Sequence, residues 1–141
     1  MNPYLKMLFK YLFLFLFGGV VYAGIEIGFR GYTYFLMGIV GAIAFVLIGS
    51  INEIFEWNTP LLLQMICGSF IVTFLEFVVG SILLQHGIRM WDYSDQWLNY
   101  KGVICPFFSV IWCFISLLAI IVDDYLRYWF FGEEKPSYQL L

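Results

Sequence analysis

The sequence predicts an all-α integral membrane protein with four transmembrane helices and an interfacial loop between helices 3 and 4. Two sums and one pattern carry that expectation. Of 141 residues, 62% are hydrophobic and 22% aromatic, with a mean hydropathy of +0.87. Only 12% are charged, about half the roughly 25% usual in soluble domains. A soluble globule of this composition could not keep its surface wet. The pattern is a series of uncharged runs, at residues 11–25, 31–52, 57–75, 77–88 and 102–122. These observations exclude a nucleic-acid binder, a disordered tail and a disulfide-stapled secreted domain.

A helix needs about 20 mostly apolar residues to cross roughly 30 Å of hydrocarbon. The runs therefore make four spans within a single domain covering 1–141: 8–27, 32–51, 60–84 and 106–125, with Glu76 interrupting the third. Barrel strands would alternate in polarity over about 10 residues, and Leu12-Phe13-Leu14-Phe15-Leu16-Phe17 has no polar face. Lys6 and Lys10 ahead of an apolar run ending near Val21-Tyr22-Ala23 resemble a signal peptide; we read the segment as the first span. Asn58-Thr59-Pro60 reads as a helix start, with Thr59 as cap and Pro60 in the first helical position. Cys105-Pro106 suggests a similar start for the last span.

Between spans three and four, residues 85–104 mix Trp91, Tyr93, Trp97 and Tyr100 with Arg89, Asp92, Asp95 and Lys101. That mixture suits the headgroup layer, where rings with one wet edge settle. Four spans put both termini on one face, with Lys6, Lys10, Arg127 and Lys135 against Arg30, Arg89 and Lys101 on the other. The positive-inside rule then favours cytoplasmic termini. The connection from Asn52 to Thr59 would share that face and carries Glu53 and Glu56.

The cysteines Cys67, Cys105 and Cys113 have no CxxC spacing and read as packing residues. His86, the only histidine, lacks the companions of a zinc site. No cofactor is expected. Phosphate-binding, nucleophile-elbow and HExxH signatures are missing, so ATP hydrolysis would need a separate ATPase subunit. The pairs Gly24/Gly28 and Gly19/Ala23 have the spacing that lets membrane helices approach closely.

Depth makes the acids informative. Glu26 lies 18 residues beyond Leu8 and Glu76 lies 16 beyond Pro60, about 27 Å and 24 Å along helices running the same way. Both carboxylates are expected just inside the outer boundary. Arg30 is spaced for a contact with Glu26, and the interfacial loop brings Arg89, Trp91 and Asp92 to the same side. A polar cluster is predicted there, with Glu76 pointing into the bundle, because ionisable groups in spans face a partner or water. Its readings are a register-fixing acid, neutralised by Arg30 or Arg89 or protonated, or a proton- or substrate-binding carboxylate. At the cytoplasmic face, Asp123, Asp124 and Arg127 precede an aromatic anchor and a solvated tail over 126–141.

Several segments together resemble a known bacterial family. They are Gly18-Gly19-Val20-Val21-Tyr22 leading to Ile25-Glu26 and Arg30-Gly31-Tyr32, then Ile51-Asn52-Glu53, Phe74-Leu75-Glu76-Phe77, Trp91-Asp92-Tyr93-Ser94, Ile104-Cys105-Pro106 and Asp123-Asp124-Tyr125-Leu126-Arg127. In these the chain resembles the family named putative ABC-transporter type IV, or CmpB-like. The resemblance implies a small multi-pass protein of the bacterial inner membrane, described as a permease. It picks out Glu26, Arg30, Glu53, Glu76, Trp91, Asp92 and Cys105. Three roles follow as expectations: a non-enzymatic transport component, acting as a homo-oligomer or with another membrane subunit; a structural or accessory subunit; and, last, a lipid-headgroup enzyme using Asp92 or Glu76.

Overall fold

The structure is a computed structural model that describes residues 2–54 and 59–138, with only the backbone described at 52 and 53. Its helices are α1 (Pro3–Arg30), α2 (Phe35–Gly49), the short α3 (Ile51–Ile54), α4 (Leu61–Gln85) and α5 (Pro106–Phe131). α1, α4 and α5 are long and apolar enough to cross a membrane, and α2 is a shorter apolar helix. Among the described residues no strand forms; an isolated antiparallel bridge joins Tyr100 and Ile104.

Each end has a local cause. Asn2 caps α1 by accepting the Tyr4 N–H at 2.8 Å, Pro3 follows, and Gly31 closes the helix in the left-handed region at φ 80. α1 thus runs past both ends of the 8–27 expectation, because cap chemistry and not hydropathy terminates it. α4 departs from the expected start: Pro60 itself is the cap position and no side chain caps it. The Thr59 carbonyl instead accepts the Gln64 side-chain N–H at 3.1 Å. α5 does begin at Pro106 and continues to Phe131, where Gly132 (φ 65) ends it.

α1 and α2 form an antiparallel hairpin in which Gly18 lies under Phe45 and Gly19 under Ala42. α4 and α5 form a second, and α2 packs against both of its helices. Gly24 and Gly28, expected at a helix contact, have nothing within 4 Å of where a β-carbon would stand. The buried centre is small: Ile48, Ile51, Leu61, Met65 and Ile120 meet at the end of the bundle nearest the termini, with Tyr138 packed against them. The outside is apolar, with Phe29, Phe35, Phe70 and Phe114 all more than 60% exposed. So much exposed apolar surface calls for lipid. Tail residues fold back: Pro136 is buried, Lys10 pairs with Glu133 at 3.0 Å, and Tyr138 donates to Asp124 at 2.7 Å. Gly132, Glu134, Lys135 and Ser137 stay exposed, as composition suggested, while Pro136 and Tyr138 pack back on the bundle.

Candidate functional site

α4 and α5 meet along a polar seam. On α4 the spacing Ser69, Thr73, Glu76 keeps three polar side chains on one helical face, and Ser109, Trp112 and Ser116 do the same on α5. Ser69 Oγ donates to the Ser109 carbonyl at 2.5 Å, and the Thr73 and Ser109 hydroxyls share a bond of 2.8 Å. Glu76, 8% exposed, sits at the head of this seam. Trp112 Nε1 donates to its Oε1 at 3.0 Å, and the Tyr93 hydroxyl donates to its Oε2 at 2.6 Å. Both carboxylate oxygens therefore take bonds from neutral donors.

Tyr93 reaches Glu76 from the interfacial loop. Its ring stacks on Phe108 with centroids 4.5 Å apart, and its backbone N–H donates to the Gly102 carbonyl at 2.8 Å. Burial, followed by the charge of Glu76 and the bond to it, pushes the Tyr93 phenol above the ordinary tyrosine value. The phenol is a donor throughout the physiological range.

On α1, Glu26 has partners of its own. Its Oε1 accepts the Tyr22 hydroxyl at 2.7 Å, and its Oε2 lies 2.8 Å from Arg30 Nε. Arg30 also donates to the Met90 carbonyl at 3.1 Å and lies 4.8 Å from the centre of the Tyr32 ring. The guanidinium is committed to Glu26, whereas aromatic N–H and O–H groups hold Glu76.

Arg89, Trp91 and Asp92 build the loop above. Arg89 pairs with Asp92 at 3.2 Å and donates to the Lys101 carbonyl at 3.3 Å, while Trp91 Nε1 donates to the Val103 carbonyl at 3.0 Å. Gly102, at φ 71, lies under the Arg89 and Asp92 side chains, where a β-carbon would collide. Bonds from the Ser94 hydroxyl and N–H, with Arg89 adding its charge, hold the Asp92 carboxyl below the usual aspartate range. A cavity of about 10 Å³, close to the volume one water needs, is lined by Gly80, Ile88, Arg89, Trp91 and Val103 among others, and Glu76 is not among them.

The remaining polar residues lie at the opposite end. Asp123 and Arg127 form a fully buried pair at 2.8 Å, and the Arg127 guanidinium lies 5.4 Å from the centre of the Tyr11 ring. Asp124 accepts from Tyr138. Glu53 lies on α3, its side chain outside the described residues, as is Glu56. The three cysteines are free, and among the described residues no group of three or more metal-ligating side chains forms. Sequence reasoning missed Tyr22, Tyr93 and Trp112. Tyr22 was within reach, since it stands one turn before Glu26 as Arg30 stands one turn after; Tyr93 and Trp112 come together only through the tertiary fold.

Long apolar helices, a lipid-compatible exterior and an internal polar seam define a multi-pass helical membrane protein. The family model described as Putative ABC-transporter type IV matches residues 27–130, and the chain belongs to that family. The match includes Arg30, Glu53, Glu76, Trp91, Asp92 and Arg127 and starts one residue after Glu26. Searches of curated proteins and of solved structures gave no match.

Proposed function

We propose that this chain is a permease-type transport component of the bacterial inner membrane, with Glu76 and Glu26 as its working carboxylates. The observation that carries this is Glu76 itself: an acid within an apolar helix, bonded by Tyr93 and Trp112 instead of a cation. Such a group is costly in a bilayer and is retained where it faces a pathway or partner. In this reading α2 and α3, spanning residues 35–54 about a turn at Ser50, form the remaining crossing, giving four spans with both termini in the cytoplasm. Four helices enclose little space, so the working form is a homo-oligomer or a complex with another membrane subunit, and an ATPase, where used, is separate. The role is transport and not catalysis.

The test is flux through liposomes containing the purified chain, followed with an internal pH dye and by light scattering with a panel of small solutes. Wild-type protein should move protons or a solute, and Glu76→Gln should lose that flux while keeping its helical content and unfolding temperature. A folded Glu76→Gln protein with unchanged flux would overturn the assignment. One observation favours an accessory subunit as the second reading: both Glu76 oxygens already have partners. On that reading Glu76→Gln and Arg30→Ala would impair folding or assembly, and no flux would be seen in wild type.

A further inference from the structure

The loop between α4 and α5 does not extend away from the bundle. Ser116 lies on Gly68, Ser109 bonds Ser69 and Thr73, and Trp112 bonds Glu76; this antiparallel register brings Pro106 to about the level of Phe77. α4 continues eight residues further, to Gln85. Its last two turns are therefore flanked by loop and not by helix. Val103 and Trp91 cover Gly80, and the Tyr100 ring lies 5.8 Å from that of Phe77, well below the end of α4.

The loop backbone is stapled. Asn99 donates to the carbonyls of Ser94 and Gln96 and accepts from the Gly102 N–H, at 2.9 to 3.2 Å. Inside this staple Leu98 has φ 54 and Lys101 φ 53, a left-handed conformation that leucine rarely adopts. Trp91 and Tyr93 turn inward, whereas the two apolar side chains at the tip stay outside: Trp97 is 76% exposed and Leu98 67%. A loop in water would gain nothing by this arrangement. Residues 86–104 carry Arg89 and Lys101 against Asp92 and Asp95, so the tip has no net charge to recruit a charged partner.

We propose that Trp97 and Leu98 form a wedge seated in the headgroup and upper acyl layer of the bilayer at this end of the bundle. The occupant of the surface is lipid, because the tip continues, through Tyr100 and Phe77, into the exposed apolar belt of Phe74 on α4 and Phe107 on α5. At about 37 Å, 25-residue α4 exceeds the roughly 30 Å of hydrocarbon, so its last turns and the loop beside them fall at the interface, where tryptophan settles. The same loop carries Tyr93, four residues before Trp97 and tied to the tip through the Asp92–Ser94 and Asn99 bonds, so lipid contact also steadies the hydroxyl on Glu76. This inference rests on the membrane assignment and does not require transport.

The test uses tryptophan emission of wild type and Trp97→Phe in vesicles of phosphatidylcholine brominated near the headgroup end of its acyl chains, and in unbrominated vesicles with acrylamide. The difference between the two proteins isolates Trp97. It should lose most of its intensity to brominated lipid and little to acrylamide. Quenching by acrylamide with none by brominated lipid places the tip in water or against a soluble partner and overturns the wedge. Residual emission of Trp97→Phe, including Trp129, reports separately whether the helices are in lipid at all. As a second variant, Leu98→Asp alters an exposed side chain and should make the Trp97 emission red-shifted and acrylamide-accessible; unchanged Trp97 emission would also overturn the proposal.

Discussion

The carboxyl group of Asp123 lies directly on the α-carbon of Gly49, in the space a β-carbon at position 49 would need. α5 presses a charged side chain onto α2 at this point, and the carboxyl cannot swing away because Arg127 holds it at 2.8 Å. Overpacking a rigid site costs about 1–3 kcal/mol, against a helix-propensity gain of at most about 1 kcal/mol for alanine over glycine. Gly49→Ala should therefore lower unfolding stability in detergent. Gly24→Ala, where the position is open, should be neutral or slightly stabilising. Equal effects of the two would mean the close approach is not what glycine serves at position 49.

The Asp123–Arg127 pair is buried on both sides, 0% and 3% exposed, whereas Lys10–Glu133 is 19% and 28% exposed. Removing one partner of a buried pair leaves an uncompensated charge and costs about 3–5 kcal/mol; exposed pairs contribute about 0–1 kcal/mol. Arg127→Met should destabilise far more than Glu133→Gln in equilibrium unfolding. Asp123→Leu with Arg127→Met together should recover much of the single-variant loss, and a fully additive double variant would contradict the coupling.

Tyr93 and Trp112 approach Glu76 from different parts of the chain, and each satisfies one oxygen. Tyr93→Phe strips a donor from a buried acceptor, a loss of about 1–3 kcal/mol. Trp112→Phe should cost more, since the smaller ring also leaves space. In the Glu76→Gln background the Tyr93→Phe penalty should change, because the two residues share a bond. Thermal unfolding of the four proteins measures that coupling, and strict additivity would show that the bond contributes nothing.

Much of this arrangement was legible before any coordinates. Uncharged runs located the long helices because hydropathy reports the solvent a helix faces, and Arg30 was paired with Glu26 by helical spacing alone. Helix ends were less legible: Asn2 and Gly31 set α1, and capping acts on single residues that a run of hydropathy averages away. The partners of Glu76 were out of reach. Charge reasoning sought a cation for a buried acid and named Arg30 or Arg89, yet Arg30 is held by Glu26, and Arg89 by Asp92 and the Lys101 carbonyl. An indole and a phenol fill the place, and their bonds depend on how α5 and the loop pack.

Asp92 gives the loop a pH dependence whose sign follows from its bonds. The Ser94 hydroxyl and N–H and the Arg89 charge favour its ionised form, so its folded pKa lies below the unfolded value near 3.8. A depressed carboxylate contributes stability that is fully present above the unfolded pKa and is lost as pH falls through the folded one. The loop should thus hold from neutral pH down to the ordinary aspartate range and loosen only in stronger acid. The side chain is half exposed, so the effect is local to residues 89–102 and leaves the helices intact. Following the Ser94 amide resonance in micelles against pH should give a midpoint below 3.8, and Asp92→Asn should remove the titration. A midpoint above the ordinary value would mean that the Ser94 and Arg89 contacts do not act on Asp92.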